Sequence, residues 1–344
     1  MGEAMTVGVG FLGAGPVAQA IHIPALQVLG EAVRIVAIMD VNEALARSLA
    51  HQHVAAWTCD EDELIDNSDV DVVVVGSPNA HHARQIIKAC AAGKRAVLAE
   101  KPLAVSREEA AAIVAAATAS GTRIIVGAMH AYDQGYLQAL AAWRETGERP
   151  VDIEVTAFLH PNDALVEEAT QLVRGDAPAA APGARPTDVA AMTMGILGLA
   201  SHDIPLVRDF LDATPELIGA TRQQPAGYSL QGIVGDCAVS FIGMLSLPWE
   251  PHWRLRVVAP RAVLDVHFPQ SYVLATGCTA SLTVAGVTRT WHHEEAAYVA
   301  EWRQLLAELE GAPAHYPLAR VEADLGYALG LIDQLPALVN VGAA

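Results

Sequence analysis

The first residues whose types and spacing suggest chemistry form the segment Gly13-Ala14-Gly15-Pro16-Val17-Ala18, a G-x-G-x-x-A pattern. Gly13 permits a tight turn, Gly15 lets a pyrophosphate approach the backbone, and Ala18 keeps the following helix close to a sheet. Pro16 is tolerated in a first helical turn, whose free N–H groups would face an anion. Asp40 ends the next apolar run, where an acid would accept hydrogen bonds from a ribose diol. These features together favour a dinucleotide site over a plain tight turn with a solvated aspartate.

The residues after Asp40 also indicate the form of the dinucleotide. A site for NADP usually places Arg or Lys here to meet the 2′-phosphate, whereas this chain continues with "VNEA". A carboxylate without a neighbouring base would repel that phosphate. The sequence therefore predicts NAD as the cofactor.

A second candidate is Lys101 in "AVLAEKPLAV", which is one of three lysines in the 344 residues. It follows a run of small apolar residues and Glu100, and it precedes Pro102, whose ring fixes its own φ. A charged residue in this position is usually only the first side chain of a strand end to reach solvent. The local pattern alone does not distinguish that interpretation from a catalytic one.

The elements that would position these residues alternate between strands and helices. Continuous apolar strands separated by amphipathic helices are what a parallel sheet covered on both faces requires, so residues 1–127 are predicted to form an α/β Rossmann domain with a doubly wound parallel sheet. Ser106 and Glu109 have capping-box spacing, and Gly121 fits a helix stop. The predicted strands are "MTVGVGF", "RIVAIMD", "DVVVVGS", "KRAVLAE" and "TRIIVGA".

The pattern changes after residue 127, so residues 128–344 are predicted to form a second domain of α+β class with a large, mostly antiparallel open sheet. Helices are predicted over "YLQALAAWRETG", over "MTMGILGLASHDIPLVRDFL" and near 295–310 and 319–340. The stretch rich in Pro, Ala and Gly between Pro161 and Thr187 is predicted to be a substrate loop or lid. The predicted strands are "VDIEVTAFLH", "GDCAVSFIGMLSL", "WRLRVVA", "AVLDVHF", "ASLTVAG" and "VTRTWHH".

Composition and charge exclude several classes of function. Apolar residues make up 52% and charged residues 17%, which is typical of a globular protein, and no apolar run is long enough to span a membrane. The net charge is −18, and residues 128–344 carry 25 acids against 12 bases. Such a balance disfavours nucleic acid and anionic membranes as partners. Four scattered cysteines and no secretory signal predict a cytoplasmic protein without disulfides or a thiolate metal site.

Four segments together resemble the Gfo/Idh/MocA oxidoreductases, a family that includes glucose–fructose oxidoreductase and inositol dehydrogenases. The resemblance is dense over residues 7–127 and at 195–212, and it is thin elsewhere. Its most specific element is E-K-P at the end of a strand, at a fixed distance after S-P-N-x-x-H. The segments are "VGFLGAGPVAQAIHIPAL", "AIMD", "GSPNAHHARQIIKACAAGKRAVLAEKPLA" and "GLASHDIPLVRDFL".

The resemblance implies roles for individual residues. Lys101 would lie beside the nicotinamide and the reacting hydroxyl, Pro102 would follow through a cis bond, and Glu100 would orient the site. His202 would share proton transfer with Lys101, and a partly desolvated lysine near a cationic ring could have a pKa low enough to relay a proton. The family also implies a homodimer or homotetramer formed through the open sheet. The turn over the cofactor is matched by Ser77, Pro78, Asn79 and His82, and further candidate substrate residues are His130, Asp163, Glu167 and Ser201.

The chain departs from the family pattern near His202. The family has an Asp four residues before this histidine, where this chain has Gly198, and it usually has an Asp three residues after, where this chain has Pro205. Asp203 is adjacent to His202, but successive helical residues point about 100° apart, so Asp203 cannot simply replace the missing acid.

For the other histidines a structural role is weighed against a functional one. His292 and His293 precede two glutamates, but adjacent strand residues point to opposite faces and no third ligand is suitably spaced, so no metal site is predicted. His22 and His130 are expected either to line the cofactor cleft or to pack in the core.

Two classes of function fit this sequence. The first is an NAD-dependent oxidoreductase acting on a secondary hydroxyl or ketone of a sugar, cyclitol or glycoside, with imine or biliverdin-type reduction as a variant. The second is a non-catalytic NAD-binding sensor or regulatory protein of the same fold, which the change at Gly198 makes conceivable. Retention of Lys101 and His202 favours the enzyme.

The acidic second half suggests a substrate that carries amino groups, such as an amino sugar or an aminoglycoside of secondary metabolism. The alternative is that these acids only form a solvated acidic surface. Charges beyond about 8 Å are screened at physiological salt, so only acids near the cleft could act on a substrate. The acids proposed as ammonium partners are Asp163, Glu167, Glu168 and Asp176.

Overall fold

The computed structural model describes residues 6–160, 166, 171–174, 186–245 and 251–339 of the chain. It divides into two compact units. The first contains Met1–Gly127, Val166–Gly183 and Glu301–Glu322, and the rest of the chain belongs to the second. The division predicted from the sequence, residues 1–127 and 128–344, differs from these units because it assigns Val166–Gly183 and Glu301–Glu322 to the second domain. They return to the first unit because Val173 and Trp302 hydrogen-bond to its first helical segment.

The first unit is built on a six-stranded sheet in which every pair of neighbours is parallel. Its strand order is β3-β2-β1-β4-β5-β6, so the order reverses between β1 and β4. In a doubly wound sheet the ligand binds at the carboxyl ends of the strands at this reversal. The predicted Rossmann fold is confirmed. The strands are β1 (Val7–Leu12), β2 (Val33–Met39), β3 (Ala56–Thr58), β4 (Val72–Val75), β5 (Ala96–Ala99) and β6 (Arg123–Val126).

The helices of the first unit begin and end where the local sequence predicts. Ser106 Oγ accepts a hydrogen bond from the Glu109 N–H at 3.2 Å, and Glu109 Oε2 accepts one from the Val105 N–H at 2.9 Å, which starts α5. Gly121 ends the same helix with φ +75°. The helices are α1 (Ile23–Leu29), α2 (Glu43–Gln52), α3 (Glu61–Asp66), α4 (His82–Ala91) and α5 (Arg107–Ser120).

The second unit is built on an eight-stranded sheet, order β14-β13-β12-β11-β7-β10-β9-β8, in which only β7 and β10 pair in parallel. The predicted mostly antiparallel sheet is confirmed. Strands β8 and β9 were not predicted, because Gly and Gln interrupt their apolar alternation. The strands are β7 (Asp152–Leu159), β8 (Glu216–Gln223), β9 (Ala226–Val234), β10 (Cys237–Leu245), β11 (His252–Val258), β12 (Ala262–Phe268), β13 (Thr279–Val284) and β14 (Val287–His292).

The single helix predicted over "MTMGILGLASHDIPLVRDFL" is wrong, because the chain forms two helices there. The first ends at Gly198, a short 3₁₀ turn covers Ala200–His202, and a second helix starts at Ile204. Pro205 has no N–H for a helix interior but is accepted in a first turn. The remaining helices are α6 (Gln134–Thr146), α7 (Asp188–Gly198), α8 (Ile204–Arg208), α9 (Ala297–Leu309) and α10 (Leu318–Val339).

The core of the second unit contains Tyr228 on β9, which is 1% exposed. A Cβ at Gly195 would lie 2.7 Å from its ring, and a Cβ at Gly243 would lie 2.6 Å from it. These two glycines therefore make the space that the ring fills. None of the helices within the described ranges combines the length and the apolar character that a membrane crossing requires.

Candidate active site

The glycine turn lies at the carboxyl end of β1, and its backbone shows why each glycine is needed. Gly13 has φ +107°, and a Cβ there would lie 2.8 Å from the carbonyl oxygen of Gly76, at the end of β4. A Cβ at Gly15 would meet no atom within 4 Å, so the space beside it is open. Gly13 is thus required by the fold, and Gly15 leaves room for a ligand.

Asp40 closes the glycine turn from the end of β2. Its Oδ2 accepts a hydrogen bond from the Ala14 N–H at 2.9 Å, and its Oδ1 accepts one from the Asn42 N–H at 2.9 Å. An ionised carboxylate has about four lone-pair sites, so both oxygens can still accept from a ribose diol. Asp40 therefore has a structural bond to the turn in addition to its predicted ligand role.

A cavity of about 530 Å³ opens beside the turn, on the side where the strand order reverses. Gly13, Gly15, Asp40, Ser77 and Pro78, all predicted cofactor residues, line it. Asn79 is exposed beside them, whereas Pro16, Val17 and Ala18 begin the helical segment behind the turn. Further lining residues are Met39, Val41, Glu61, Gly76, His81, Arg84 and Gln85.

His82 is buried behind the cavity. Its Nδ1 lies 2.8 Å from the Pro102 carbonyl oxygen, and its Nε2 lies 2.7 Å from the Ser77 carbonyl oxygen. Each ring nitrogen therefore has a backbone carbonyl oxygen as its partner. The side chain thus joins the turn after β4 to the segment after β5.

Glu100 directly follows β5 and is held by His22, which is in turn held by Trp302. Trp302 Nε1–H donates to His22 Nδ1 at 3.2 Å, so the proton of His22 is on Nε2, which donates to Glu100 Oε1 at 3.0 Å. Burial alone would raise the pKa of Glu100, but the hydrogen bond from His22 and nearby positive charges outweigh it and lower the pKa. Glu100 is therefore an oriented carboxylate.

Lys101 follows at the carboxyl end of the same strand and is half-buried. Burial lowers the pKa of its ammonium group, and the charge of Glu100 opposes this shift only in part. The bond from Lys101 to Pro102 is cis, as the resemblance implied. Lys101 is thus not simply the first solvated residue of a strand.

Gln19 links the glycine turn to a distant segment. Its Nε2 donates to the Ala14 carbonyl at 2.7 Å and to the Val173 carbonyl at 3.1 Å, and its Oε1 accepts from the Val173 N–H at 2.8 Å. It lies in the wider helical turn Ala18–His22, which also places His22. Wider turns of this kind are frequent at functional sites.

The second unit has its own cluster of rings around His130. The His130 ring stacks on Phe268 with centroids 4.0 Å apart, meets Trp253 edge-on at 4.3 Å, and lies 6.2 Å from His202. Burial lowers the pKa of His130 to about 3. His130 is therefore neutral at physiological pH, and His202, which is 7% exposed, is the histidine of this cluster that remains a candidate proton carrier.

Asp203 holds Trp253 in place within this cluster. The Trp253 Nε1–H donates to Asp203 Oδ1 at 2.6 Å, and Asp203 is 1% exposed. Burial raises the pKa of Asp203 to about 8, although the hydrogen bond from Trp253 acts in the opposite direction. At neutral pH Asp203 is therefore a protonated acid that positions an indole ring.

This protonation state predicts how stability depends on pH. The folded chain keeps the Asp203 proton up to about pH 8, whereas the unfolded chain loses it near its ordinary pKa, so stability falls as pH rises across this interval. An Asp203→Asn variant lacks this dependence. Urea unfolding at several pH values should show the wild type losing free energy of unfolding relative to the variant from about pH 4 to about pH 8. Parallel curves would show instead that Asp203 is ionised in the fold.

The remaining residues that the sequence analysis considered lie outside the clusters around Glu100 and His130, or outside the described residues. Ser201 Oγ donates to the Leu197 carbonyl at 2.8 Å at the end of α7. His292 contacts Thr279 and His293 contacts Gln138, so the two histidines have separate partners. Within the described part of the chain no group of three or more His, Cys, Asp or Glu side chains is arranged to hold a metal ion. Four predicted acids lie outside the described residues, namely Asp163, Glu167, Glu168 and Asp176.

Comparison with known proteins decides the family. Residues 7–128 match the model of the Gfo/Idh/MocA family, described as an oxidoreductase family with an NAD-binding Rossmann fold. Over these residues the chain is similar to the Gfo/Idh/MocA oxidoreductases. The resemblance inferred from the sequence is therefore confirmed.

Among curated relatives of this chain, two inositol dehydrogenases illustrate the extent of similarity. An inositol 2-dehydrogenase/D-chiro-inositol 3-dehydrogenase of Shouchella clausii is 40% identical over 137 residues, which are 39% of this chain and 39% of the relative. An inositol 2-dehydrogenase of Agrobacterium fabrum is 40% identical over 167 residues, 48% of each chain. The matches thus span less than half the length of these relatives.

A solved structure matches over nearly the whole length. A 3-ketoreductase from Actinomadura kijaniata, in complex with NADP and TDP-benzene, superposes with a TM-score of 0.72 and covers 97% of this chain and 98% of its own. The sequence identity is 18%, so this similarity concerns the fold. The fold of this chain is therefore similar to that of the 3-ketoreductase over nearly all of its length.

Three residues near the candidate site were not identified as site residues from sequence. Gln19 and Trp302 each bond to a site segment, and Glu301 is buried next to Trp302. The sequence pattern that could have identified Gln19 and Glu301 is a polar residue within an otherwise apolar helical face. Gln19 bonds to Val173, 154 residues away, and Trp302 bonds to His22, 280 residues away, and no local pattern reveals such contacts.

Proposed function

We propose that the protein is an NAD-dependent oxidoreductase that interconverts a secondary hydroxyl and a ketone on a sugar or cyclitol. The observation that carries the proposal is Lys101, a half-buried lysine of lowered pKa beside the Glu100 carboxylate, at the carboxyl end of a Rossmann strand. A half-buried lysine that can change its protonation state is suited to general acid–base chemistry. The inositol dehydrogenases among the relatives support the substrate class.

The cavity beside the glycine turn fits a dinucleotide. Gly15 leaves open space for the pyrophosphate, Asp40 can accept from the ribose, and Ser77 and Pro78 line the same cavity. When bound, NAD supplies the hydride acceptor or donor of the reaction. The protein supplies binding, orientation and proton transfer.

In this proposal Lys101 carries the proton. During oxidation the neutral amine accepts the proton of the substrate hydroxyl, and during reduction the ammonium returns a proton to the ketone oxygen while its charge stabilises the developing alkoxide. Glu100 moderates this exchange, because its negative charge opposes the loss of the lysine proton. The hydrogen bond from His22 fixes the position of that charge.

His202 is the proposed second proton carrier. Its ring meets Trp253 edge-on with centroids 5.5 Å apart, and Trp253 is in turn held by Asp203. The chain has Gly198 where the family has an acid, so no carboxylate from that position stabilises the charged imidazole. We therefore expect Lys101 to contribute more to turnover than His202.

A panel of substrates tests the proposal directly. Inositols, aldoses, ketoses, glycosides and imines are each mixed with oxidised or reduced cofactor, and formation or loss of NADH is followed by its absorbance. Turnover of at least one polyol or ketose is expected. Absence of turnover with every hydroxyl and ketone substrate, despite cofactor binding, would favour the non-catalytic binding protein, and turnover of imines alone would favour an imine reductase.

For the substrate itself we propose a sugar-like molecule that carries amino groups. The support is the excess of acids over bases, 25 to 12, in residues 128–344. The test compares kcat/KM for aminated and neutral glycosides of the same ring at low and at physiological salt. A preference for the aminated substrate that weakens with salt is expected. Equal kcat/KM values at low salt would refute this specificity.

We further propose a homodimer or homotetramer, supported by exposed apolar side chains such as Ile218, Ile233 and Val287 on the second sheet. Sedimentation velocity measures the assembly, and a monomer at micromolar concentration would contradict it.

Cofactor preference is the next prediction. Asp40 presents a carboxylate at the ribose position, and Arg84 at the cavity is paired with Glu61. We expect NADH to bind more tightly than NADPH, and Asp40→Ala to reduce the difference because the repulsion of the 2′-phosphate is removed. The variant also loses the bond to Ala14, so absolute affinity should fall for both cofactors. Fluorescence titration with NADH and NADPH measures both effects, and tighter binding of NADPH to the wild type would overturn the assignment.

A further inference from the structure

The cavity beside the glycine turn contains a charged pair formed by Arg84 on α4 and Glu61 on α3. Among the described residues that line this cavity, Arg84 is the only arginine or lysine, and Glu61 lines it as well. Arg84 Nη1 donates a hydrogen bond to Glu61 Oε1. The guanidinium is half-exposed, whereas only 12% of the Glu61 side chain is exposed. The cation that an anionic ligand would meet in this cavity is therefore already paired with a carboxylate.

Glu61 is held in this position by two other side chains of α4. Lys88 Nζ donates to the same Oε1 at 2.8 Å, and Gln85 Nε2 donates to Oε2 at 3.1 Å, so both carboxylate oxygens are engaged. Gln85 is 3% exposed, and its Oε1 accepts from Ser77 Oγ at 2.6 Å, which extends the link to the turn after β4. These contacts keep Glu61 directed at Arg84.

The stability of α4 does not by itself explain an arginine at position 84. Arg84 lies in the first turn of the helix, where the helix dipole disfavours a cation. Lys88 follows four residues later on the same face, and like charges at this spacing repel each other. Glu61 offsets both costs because it accepts from the two cations at once. Glu61 thus stabilises α4 in addition to neutralising the cavity.

The charges that line the cavity determine how it receives a phosphate on the ribose. Asp40 and Glu61 are negative and Arg84 is positive, so two negative charges stand against one positive charge. A phosphate monoester adds a charge of about −1.5 to −2 at neutral pH, which this balance disfavours. Without the charge of Glu61 the balance would be neutral. The planar guanidinium of Arg84 would then be available to pair with a phosphate through two N–H groups.

We propose that Glu61 is a specificity-determining residue of the dinucleotide site, which neutralises Arg84 and so withholds it from the 2′-phosphate that distinguishes NADP from NAD. The inference rests on the proposed function, because that function assigns the cavity to a dinucleotide. Discrimination between the two cofactors then has two separate sources. Asp40 repels a phosphate at the ribose, whereas Glu61 occupies the cation that would attract one.

Calorimetric titration of NADH and NADPH tests this role without any substrate, because the two ligands differ only in the 2′-phosphate. Glu61→Gln removes the charge and keeps an oxygen that can accept from Gln85. The variant should bind NADPH about ten-fold more tightly than the wild type does, as expected for one additional hydrogen bond between charged groups. Its affinity for NADH should change little, and the gain for NADPH should weaken at high salt.

Two further variants separate release of Arg84 from a general change in charge. Asp62→Asn removes the same charge from the same helix, because Asp62 accepts from Lys88 at 2.6 Å but is not among the described residues that line the cavity. Its affinity for NADPH should change far less than that of Glu61→Gln. The double variant Glu61→Gln/Arg84→Gln should lose the gain, because the released cation is absent. Arg84→Gln alone should alter NADPH binding only slightly.

Thermal unfolding without ligand separates the structural role of Glu61 from its effect on the cofactor. Glu61→Ala loses the contacts to α4 and should have a lower thermal midpoint, yet it should show the same selective gain for NADPH. An equal gain for both cofactors in Glu61→Gln, a similar gain in Asp62→Asn, or a gain that persists without Arg84 would overturn the proposal.

The two proposals can fail separately. A selective gain for NADPH in a protein that turns over no hydroxyl or ketone substrate would refute the oxidoreductase and support the role of Glu61. Binding of NADH to the wild type without a selective gain in Glu61→Gln would refute only the role of Glu61. Failure of the wild type to bind either cofactor would refute both.

Discussion

Replacing Lys101 with alanine is expected to lower turnover by about 10²–10⁴-fold, the range typical for loss of a general acid–base group. The structure gives the reason, since Lys101 is half-buried, has a lowered pKa and lies beside an oriented carboxylate. NADH should still bind, because the glycine turn and Asp40 are unchanged. Single-turnover rates at saturating substrate, together with fluorescence titration of NADH, separate the chemical step from cofactor binding.

Two further variants give this experiment its controls. Lys101→Arg keeps the positive charge but cannot lose its proton in a protein, so it should be nearly as impaired as alanine if proton exchange is the role of the lysine. His202→Ala should lose less than Lys101→Ala. Full activity in Lys101→Ala would refute the assignment, and a larger loss in His202→Ala would exchange the two roles.

The second large effect is expected at the glycine turn, where two neighbouring alanine substitutions should behave differently. Gly13→Ala forces a side chain into a left-handed conformation at φ +107°, which costs about 1–2 kcal/mol, and places its Cβ 2.8 Å from the Gly76 carbonyl oxygen. Both the thermal midpoint and NADH affinity should fall. Gly15→Ala meets no protein atom, so the thermal midpoint should stay the same while NADH affinity falls.

The measurement combines thermal unfolding without ligand and NADH titration of each variant. Loss of affinity in Gly15→Ala at unchanged stability would locate the pyrophosphate beside Gly15. Normal NADH affinity in Gly15→Ala would mean that the dinucleotide lies elsewhere, and normal stability in Gly13→Ala would contradict the backbone conformation of the turn.

The sequence predicts the first unit well because its determinants are local. Strands such as β4, four consecutive valines, are buried on both faces, and the helices between them start and end at capping residues. The turn at Gly13 and Gly15 follows from the spacing of two glycines. The capping of α5 by Ser106 and Glu109 follows from residues three apart.

The sequence is less informative where distant residues determine the structure. Tyr228 on β9 occupies the space left by Gly195 and Gly243. No local sequence pattern predicts this contact, so strand β9 could not be predicted from it. The apolar periodicity across residues 192–211 predicts one long helix, and Pro205 becomes decisive only when the preceding chain turns at Leu199. Trp302 hydrogen-bonds to His22 from 280 residues away, so its position beside the Glu100 site depends on tertiary packing.

The double contact of His82 has a consequence for efforts to re-engineer the protein. One ring holds the carbonyl of Ser77, which borders the nucleotide cavity, and the carbonyl of Pro102, which follows the lysine. Mutations that widen the turn at Ser77 for a different nucleotide would displace the His82 ring. The same ring holds the backbone after Lys101, which would therefore shift as well. Cofactor exchange and catalytic rate are therefore expected to be genetically coupled, and libraries that vary the two loops together should recover more active variants than libraries that vary either loop alone.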